Sequence, residues 1–111
     1  MTRRNSNLYI RDILDCIDKV EEYVKGLSFE DFAKNKMVID AVVRNFEIIG
    51  EAAKNISAEV KTKYNKIPWK EMAGMRDKTI HEYFGVDLKI IWKTIKQSLP
   101  SLKKSIKIIL K

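Results

Sequence analysis

Apolar residues near the start of the chain recur every three or four positions. Tyr9, Ile13, Cys16, Ile17, Val20 and Val24 follow that spacing with acids between them, which predicts an amphipathic helix. Asn5 or Ser6 can cap it and Gly26 can stop it. Ser28 and Asp31 have the spacing of a capping box and predict a short turn into a second long helix, from about Lys36 to Ile56. At about 100° per residue, the apolar residues of that segment cover roughly two-thirds of its circumference, the pattern of a central helix packed on several sides. Its polar residues Asp40, Arg44, Glu47, Glu51 and Lys54 collect in one stripe, read either as a solvated row of ion pairs or as a polar seam facing a partner or an active site. Asn45 falls inside the apolar arc, where a buried amide needs hydrogen-bond partners and is expected to join a polar network.

Further along, Ser57 can cap a short polar piece, AEVKTKYN. Pro68 is placed as the first residue of the next helix and Gly85 as its terminator. Asp87 then caps a helix with Leu88, Ile91, Trp92, Ile95 and Leu99 in one stripe. Pro100 starts a last helix, with Leu102, Ile106, Ile109 and Leu110 inward. No strand pattern competes, so the expected fold is an all-α bundle of about five helices in a single domain, residues 1–111.

Composition narrows the class of protein. The chain is 111 residues long with 45% hydrophobic and 33% charged residues, enough for one soluble globular domain. No apolar run is long enough to span a bilayer, and no apolar stretch follows the basic N-terminus as a secretory signal would require. The lone Cys16 cannot form an intrachain disulfide, which fits a cytoplasmic location. The net charge of +7 is uneven. Residues 86–111 carry Lys89, Lys93, Lys96, Lys103, Lys104, Lys107 and Lys111 against Asp87 alone, while the first 85 residues are nearly balanced. A basic terminal segment is either a solvated lysine face or a docking surface for a polyanion, nucleic acid first in line.

Candidate chemistry concentrates in Pro68–Gly85, PWKEMAGMRDKTIHEYFG. On a continuous helical wheel Trp69, Met72, Ala73, Ile80, Tyr83 and Phe84 share one face, and Arg76 falls in its middle. A guanidinium there is costly unless it is paired or faces an anion. An ion pair with Glu47 or Glu51, a stem that snorkels to solvent, and a wrong helix assignment are the structural explanations. His81, the only histidine, follows at the margin of that face. One His and one Cys leave too few typical zinc ligands, and neither a phosphate loop nor a nucleophile elbow is present. No cofactor is called for. Without a metal, an Arg and a His suit RNA, which carries its own nucleophile in the 2′-hydroxyl. An imidazole titrating near neutral pH can move the proton, and a guanidinium can hold the phosphate.

The string R-D-K-T-I-H-E-Y from Arg76 to Tyr83 has the form R-x-x-x-x-H-x-Y. It lies within GMRDKTIHEYFGVD, after IPW at 67–69, and downstream of RNFEIIGEAAKNI at 44–56. Together these strings resemble the HepT-like HEPN ribonuclease toxins over most of the chain, from about residue 8 to 110. The resemblance implies an all-α HEPN bundle that homodimerises and brings two R-x4-H motifs around a shared cleft. It implies a metal-independent endoribonuclease acting on tRNA or mRNA as the toxin of a type VII-like toxin–antitoxin pair. Arg76 and His81 would be the catalytic pair and Asp77 a supporting polar residue. Tyr83 would be the tyrosine that a cognate minimal nucleotidyltransferase antitoxin modifies with AMP. Arg44, Asn45, Glu47 and Glu51 are candidates for a polar seam near the site, and the C-terminal lysines for RNA docking. Glu82 departs from the small residue expected between His81 and Tyr83, adding a negative charge beside the site. Two other readings stand beside this one: a non-catalytic helical partner that binds substrate for a nucleotidyltransferase, and a nonspecific nucleic-acid-binding bundle driven by the lysines.

Overall fold

The computed structural model describes residues 5–76 and 88–110, and every regular element among them is helical. Helix α1 spans Ser6–Val24, with Asn5 Oδ1 accepting the Asn7 N–H at 2.7 Å. This satisfies one of the backbone donors that a helix start leaves orphaned. Gly26, at φ +78, takes the chain out of the helix. The short segment after it is a helix, α2 (Phe29–Lys34), held by a reciprocal capping box between Ser28 and Asp31 with both bonds at 3.1 Å. Asn35 caps α3 (Lys36–Lys54), which ends two residues short of the expected Ile56 at an Asn55 cap. Ser57 caps α4 (Ala58–Lys63), and its N–H also donates to Ser6 Oγ at 3.1 Å, tying the start of α1 to this corner.

The remaining elements correct two expectations. Helix α5 covers Trp69–Ala73 with Pro68 at its cap, and the helix pauses at Gly74 before Met75 and Arg76. Its expected terminator Gly85 lies outside the described residues, as does the Asp87 cap. The two helices expected on either side of Pro100 are one helical run: α6 (Leu88–Lys93), a π turn (Thr94–Ser98) and α7 (Leu99–Ile109). Pro100 has no N–H to donate, and its ring crowds the carbonyl four residues back. The wider turn just before it, in which Leu99 N–H reaches Thr94 O five residues away, makes room for the ring without ending the helix.

Packing follows from these faces. Helix α3 lies along α1 and against α5, α7 lies against α1, and α2 bridges α3 and α6. The core runs through Ile13, Ile17, Phe32, Val42, Phe46 and Ile106. Trp92 closes it over α2, 5.1 Å from the Phe32 ring and 6.2 Å from Phe29. Helix α3 is less enclosed than its composition suggests, for Met37 is 83% exposed and Val43 and Ile48 are half-buried. Lys103 of α7 donates to Asp18 at 2.7 Å and to Glu21 at 2.9 Å on α1. These bonds raise its pKa above the usual lysine value. No helix among the described residues is long and apolar enough to cross a membrane.

Cys16 sits in the α1 face of the core at 4% exposure, and burial pushes its thiol up to about 11. The unfolded chain therefore loses this proton first, so the contribution of Cys16 to stability falls as pH rises above the ordinary thiol value of 9.0. A thiol reagent at mildly alkaline pH should leave the native protein unlabelled and label one cysteine per chain after unfolding in denaturant. Rapid labelling of the native protein would show that the α1 face opens.

Candidate active site

The candidate site is built on one turn of α3. Gly50 is buried, and a Cβ placed there would lie 3.1 Å from Ala73 O, 3.1 Å from Arg76 N and 3.2 Å from Arg76 Cβ. A side chain at position 50 would need these neighbours to give by a few tenths of an ångström, so glycine suits so close an approach of the two backbones. The next residue, Glu51, then faces the arginine that this approach brings in, with Arg76 Nη1 donating to Glu51 Oε2 at 3.5 Å. One turn earlier on α3, Arg44 reaches Glu47 at 3.8 Å.

These side chains line an open cleft of about 380 Å³. Arg44, Glu47, Ile48, Glu51 and Ala52 form the α3 wall, Tyr9 and Asp12 stand on α1, and Arg76 enters from the segment after α5. Two guanidinium groups share the cleft with three carboxylates, so its own charge is close to balanced. The polar stripe of α3 thus faces Arg76 across a concavity rather than open solvent alone. Among the described residues, no three His, Cys, Asp or Glu side chains are grouped so as to hold a metal ion.

Several expectations change. Of the apolar face expected around Arg76, Ile80, Tyr83 and Phe84 lie outside the described residues. Met75 beside it is buried, and the Arg76 side chain is 49% exposed. Of the structural explanations for this arginine, the ion pair with Glu51 and a head that reaches solvent both hold. Asn45 is buried as expected but does not line the cleft. Its Nδ2 donates to Ala41 O at 2.8 Å, so among the described residues its partner is the turn of its own helix rather than a wider network. His81, Asp77, Tyr83 and Glu82 lie outside the described residues. Tyr9 and Asp12 join the cleft without having been singled out by the sequence. The one signal they offer is their spacing of three on α1, and it acquires meaning once α1 is known to lie along α3.

Among the described residues, none of the C-terminal lysines lines this cleft. Lys89, Lys93, Lys96, Lys104 and Lys107 are exposed. Lys96 lies 4.8 Å over the Trp92 ring, and Lys103 is held in its two ion pairs with α1.

Comparison with known proteins finds relatives of this chain. The family model described as Ribonuclease HepT-like matches residues 13–109. A protein of Caldanaerobacter subterraneus named as a putative RNase is 54% identical over 102 residues, covering 92% of this chain and 91% of its own. A protein of Thermococcus cleftensis named as a probable ribonuclease HepT is 50% identical over 101 residues, covering 91% and 92%. A further protein named as a putative RNase, from Methanocaldococcus jannaschii, is 44% identical over 111 residues, covering 100% and 92%. No solved structure matches the chain.

The close approach at Gly50 makes a prediction with two opposing parts. Gly50→Ala gains up to about 1 kcal/mol of helix propensity, while crowding a closely packed backbone costs about 1–3 kcal/mol. The second should win, giving a net loss on the order of 1 kcal/mol by thermal or denaturant unfolding. An unchanged or raised midpoint would show that the Ala73–Arg76 segment gives way freely.

Proposed function

The chain belongs to the HepT-like ribonuclease family, and on that premise we propose that it is a metal-independent endoribonuclease, the toxin of a type VII-like toxin–antitoxin pair in the cytoplasm. The observation that carries this reading is the state of Arg76, a half-exposed guanidinium in a cleft, paired with an exposed carboxylate 3.5 Å away. An exposed pair of this kind is worth at most about 1 kcal/mol. A phosphate that accepts charge-assisted bonds from the same fork contributes about 1.5–3 kcal/mol per bond. RNA therefore displaces Glu51 at little cost, and Glu51 keeps the arginine aimed into the cleft until it does.

In the proposed reaction the 2′-oxygen of a nucleotide attacks the adjacent phosphorus, and its proton passes to the His81 imidazole acting as base. Arg76 binds the phosphate and offsets the charge that builds on its oxygens. The 5′-oxygen of the next nucleotide leaves with a proton, giving a 2′,3′-cyclic phosphate and a free 5′-hydroxyl. Each chain has one histidine, so a homodimer that joins two Arg76/His81 pairs supplies the acid as well as the base. Asp77 supports the pair, and the substrate is tRNA or mRNA. A cognate nucleotidyltransferase silences the enzyme by transferring AMP from ATP to the Tyr83 hydroxyl with release of pyrophosphate, and the added phosphate competes with RNA for the arginine.

Purified protein should cleave RNA in the presence of EDTA, and Arg76→Ala or His81→Ala should each lower the rate by about 10³-fold with the helical circular dichroism retained. Full activity of His81→Ala, free of wild-type protein, would sink the catalytic assignment. Co-expression with the nucleotidyltransferase should add the mass of AMP to the peptide containing Tyr83, and Tyr83→Phe should remove that addition. A neutralised complex with Tyr83 unmodified would refute the covalent route.

A further inference from the structure

A second concavity lies on the other side of the Met75–Arg76 step. One part, of about 400 Å³, is floored by Met72, Met75, Leu99 and Leu102 and edged by Gln97, Ser98 and Ser101. The other, of about 350 Å³, is lined by Lys63, Tyr64, Asn65 and Ile108. Both parts include Lys66 and Ser105, so they form one groove between the segment 63–75 and the π turn with α7. From Ser98 to Ile108 it follows about 15 Å of helix axis. It ends at Met75, and the following residue, Arg76, lines the cleft already described.

The chemistry of this groove is that of a polynucleotide track. Lys63 and Lys66 are exposed, and neither forms an ion pair with a described residue. Glu71 is the one carboxylate among the described residues that line it. The side chains of Gln97, Ser98 and Ser101 make no hydrogen bond to another described residue. Their hydroxyl and amide groups can meet phosphates, 2′-hydroxyls or base edges without charge. Tyr64 adds a half-exposed ring that packs against the core, with Lys63 Nζ 5.5 Å over its centroid, and a base that draws Lys63 onto its phosphate can take the place of that cation on the ring. An acidic peptide would satisfy the lysines but would leave the uncharged donors and the ring with less to do.

We propose that this groove is an RNA exosite that holds the strand flanking the cleaved bond, with Lys63 and Lys66 contacting its phosphates and Tyr64 stacking on a base. The proposal rests on the ribonuclease reading, and its test is arranged so that each can fail alone. The double variant Lys63→Glu/Lys66→Glu changes two exposed residues outside the core. Binding of a fluorescein-labelled, 2′-O-methylated single-stranded RNA of about twenty nucleotides, which has no free 2′-hydroxyl to attack and so stays intact, is followed by anisotropy across a range of salt for wild type and variant. The variant should bind at least tenfold more weakly, and its salt slope should fall by about 1.4, which is about 0.7 for each of the two single-strand phosphates left without a lysine. Cleavage of a dinucleotide, whose one bridging phosphate is the one attacked and which has no flanking strand, should be unchanged. Equal affinity and equal slope in the two proteins would overturn the exosite, as would a wild-type protein that binds no RNA. A wild-type protein that binds RNA through these lysines but cleaves none would leave the exosite standing and refute the catalytic reading.

Discussion

Backbone meets backbone where α3 passes the segment after α5, and the absence of a side chain at Gly50 permits it. With Ala73 O and Arg76 N both 3.1 Å from where a Cβ would stand, the helix and the segment cannot part or slide without opening a void or a clash. The same turn of α3 does two jobs. Its glycine admits the arginine backbone, and the adjacent Glu51 takes hold of the guanidinium. The position of Arg76 is thereby set by a long, core-packed helix rather than by the short helix and turn that lead up to it. A functional group held this way owes its placement to the packing of the whole α1–α3 pair, since α1 supplies the opposite wall of the cleft.

Charge is divided between regions of different character. The cleft holds nearly equal numbers of acidic and basic groups, while the lysine excess lies elsewhere on the surface. A balanced cleft has little attraction for a distant polyanion, because opposite charges a few ångströms apart cancel beyond about a Debye length. Capture at a distance is left to the lysines, and discrimination to a few groups at close range. On the proposed reading, the basic surface governs how often RNA arrives, and the cleft governs what happens to it.

Much of this architecture was legible because the signals are local. Asn5, Ser28 with Asp31, and Ser57 each cap a helix as their residue types suggest, for a cap depends on only three or four neighbouring residues. The expectations that failed depend on more than local spacing. Pro100 reads as a helix start because a proline usually is one, and nothing in apolar spacing reveals a turn that steps by five. Gly74 is a residue that helices tolerate, so the end of α5 at that position leaves no mark on the wheel. Tyr9 and Asp12 belong to the cleft only through the mutual orientation of α1 and α3, which is tertiary information. The polar stripe on α3 was visible in sequence, but its opposite wall was not.

The clamp between Lys103 and α1 carries a consequence for how the molecule comes into being. Its partners Asp18 and Glu21 leave the ribosome early, and the lysine that joins them follows 82 residues after Glu21. Closing so long a loop is an entropic cost that earlier, shorter-range interactions must already have offset. The clamp thus fastens two helices that lie far apart along the chain, and its long loop makes it a contact that the shorter-range packing of the bundle must support.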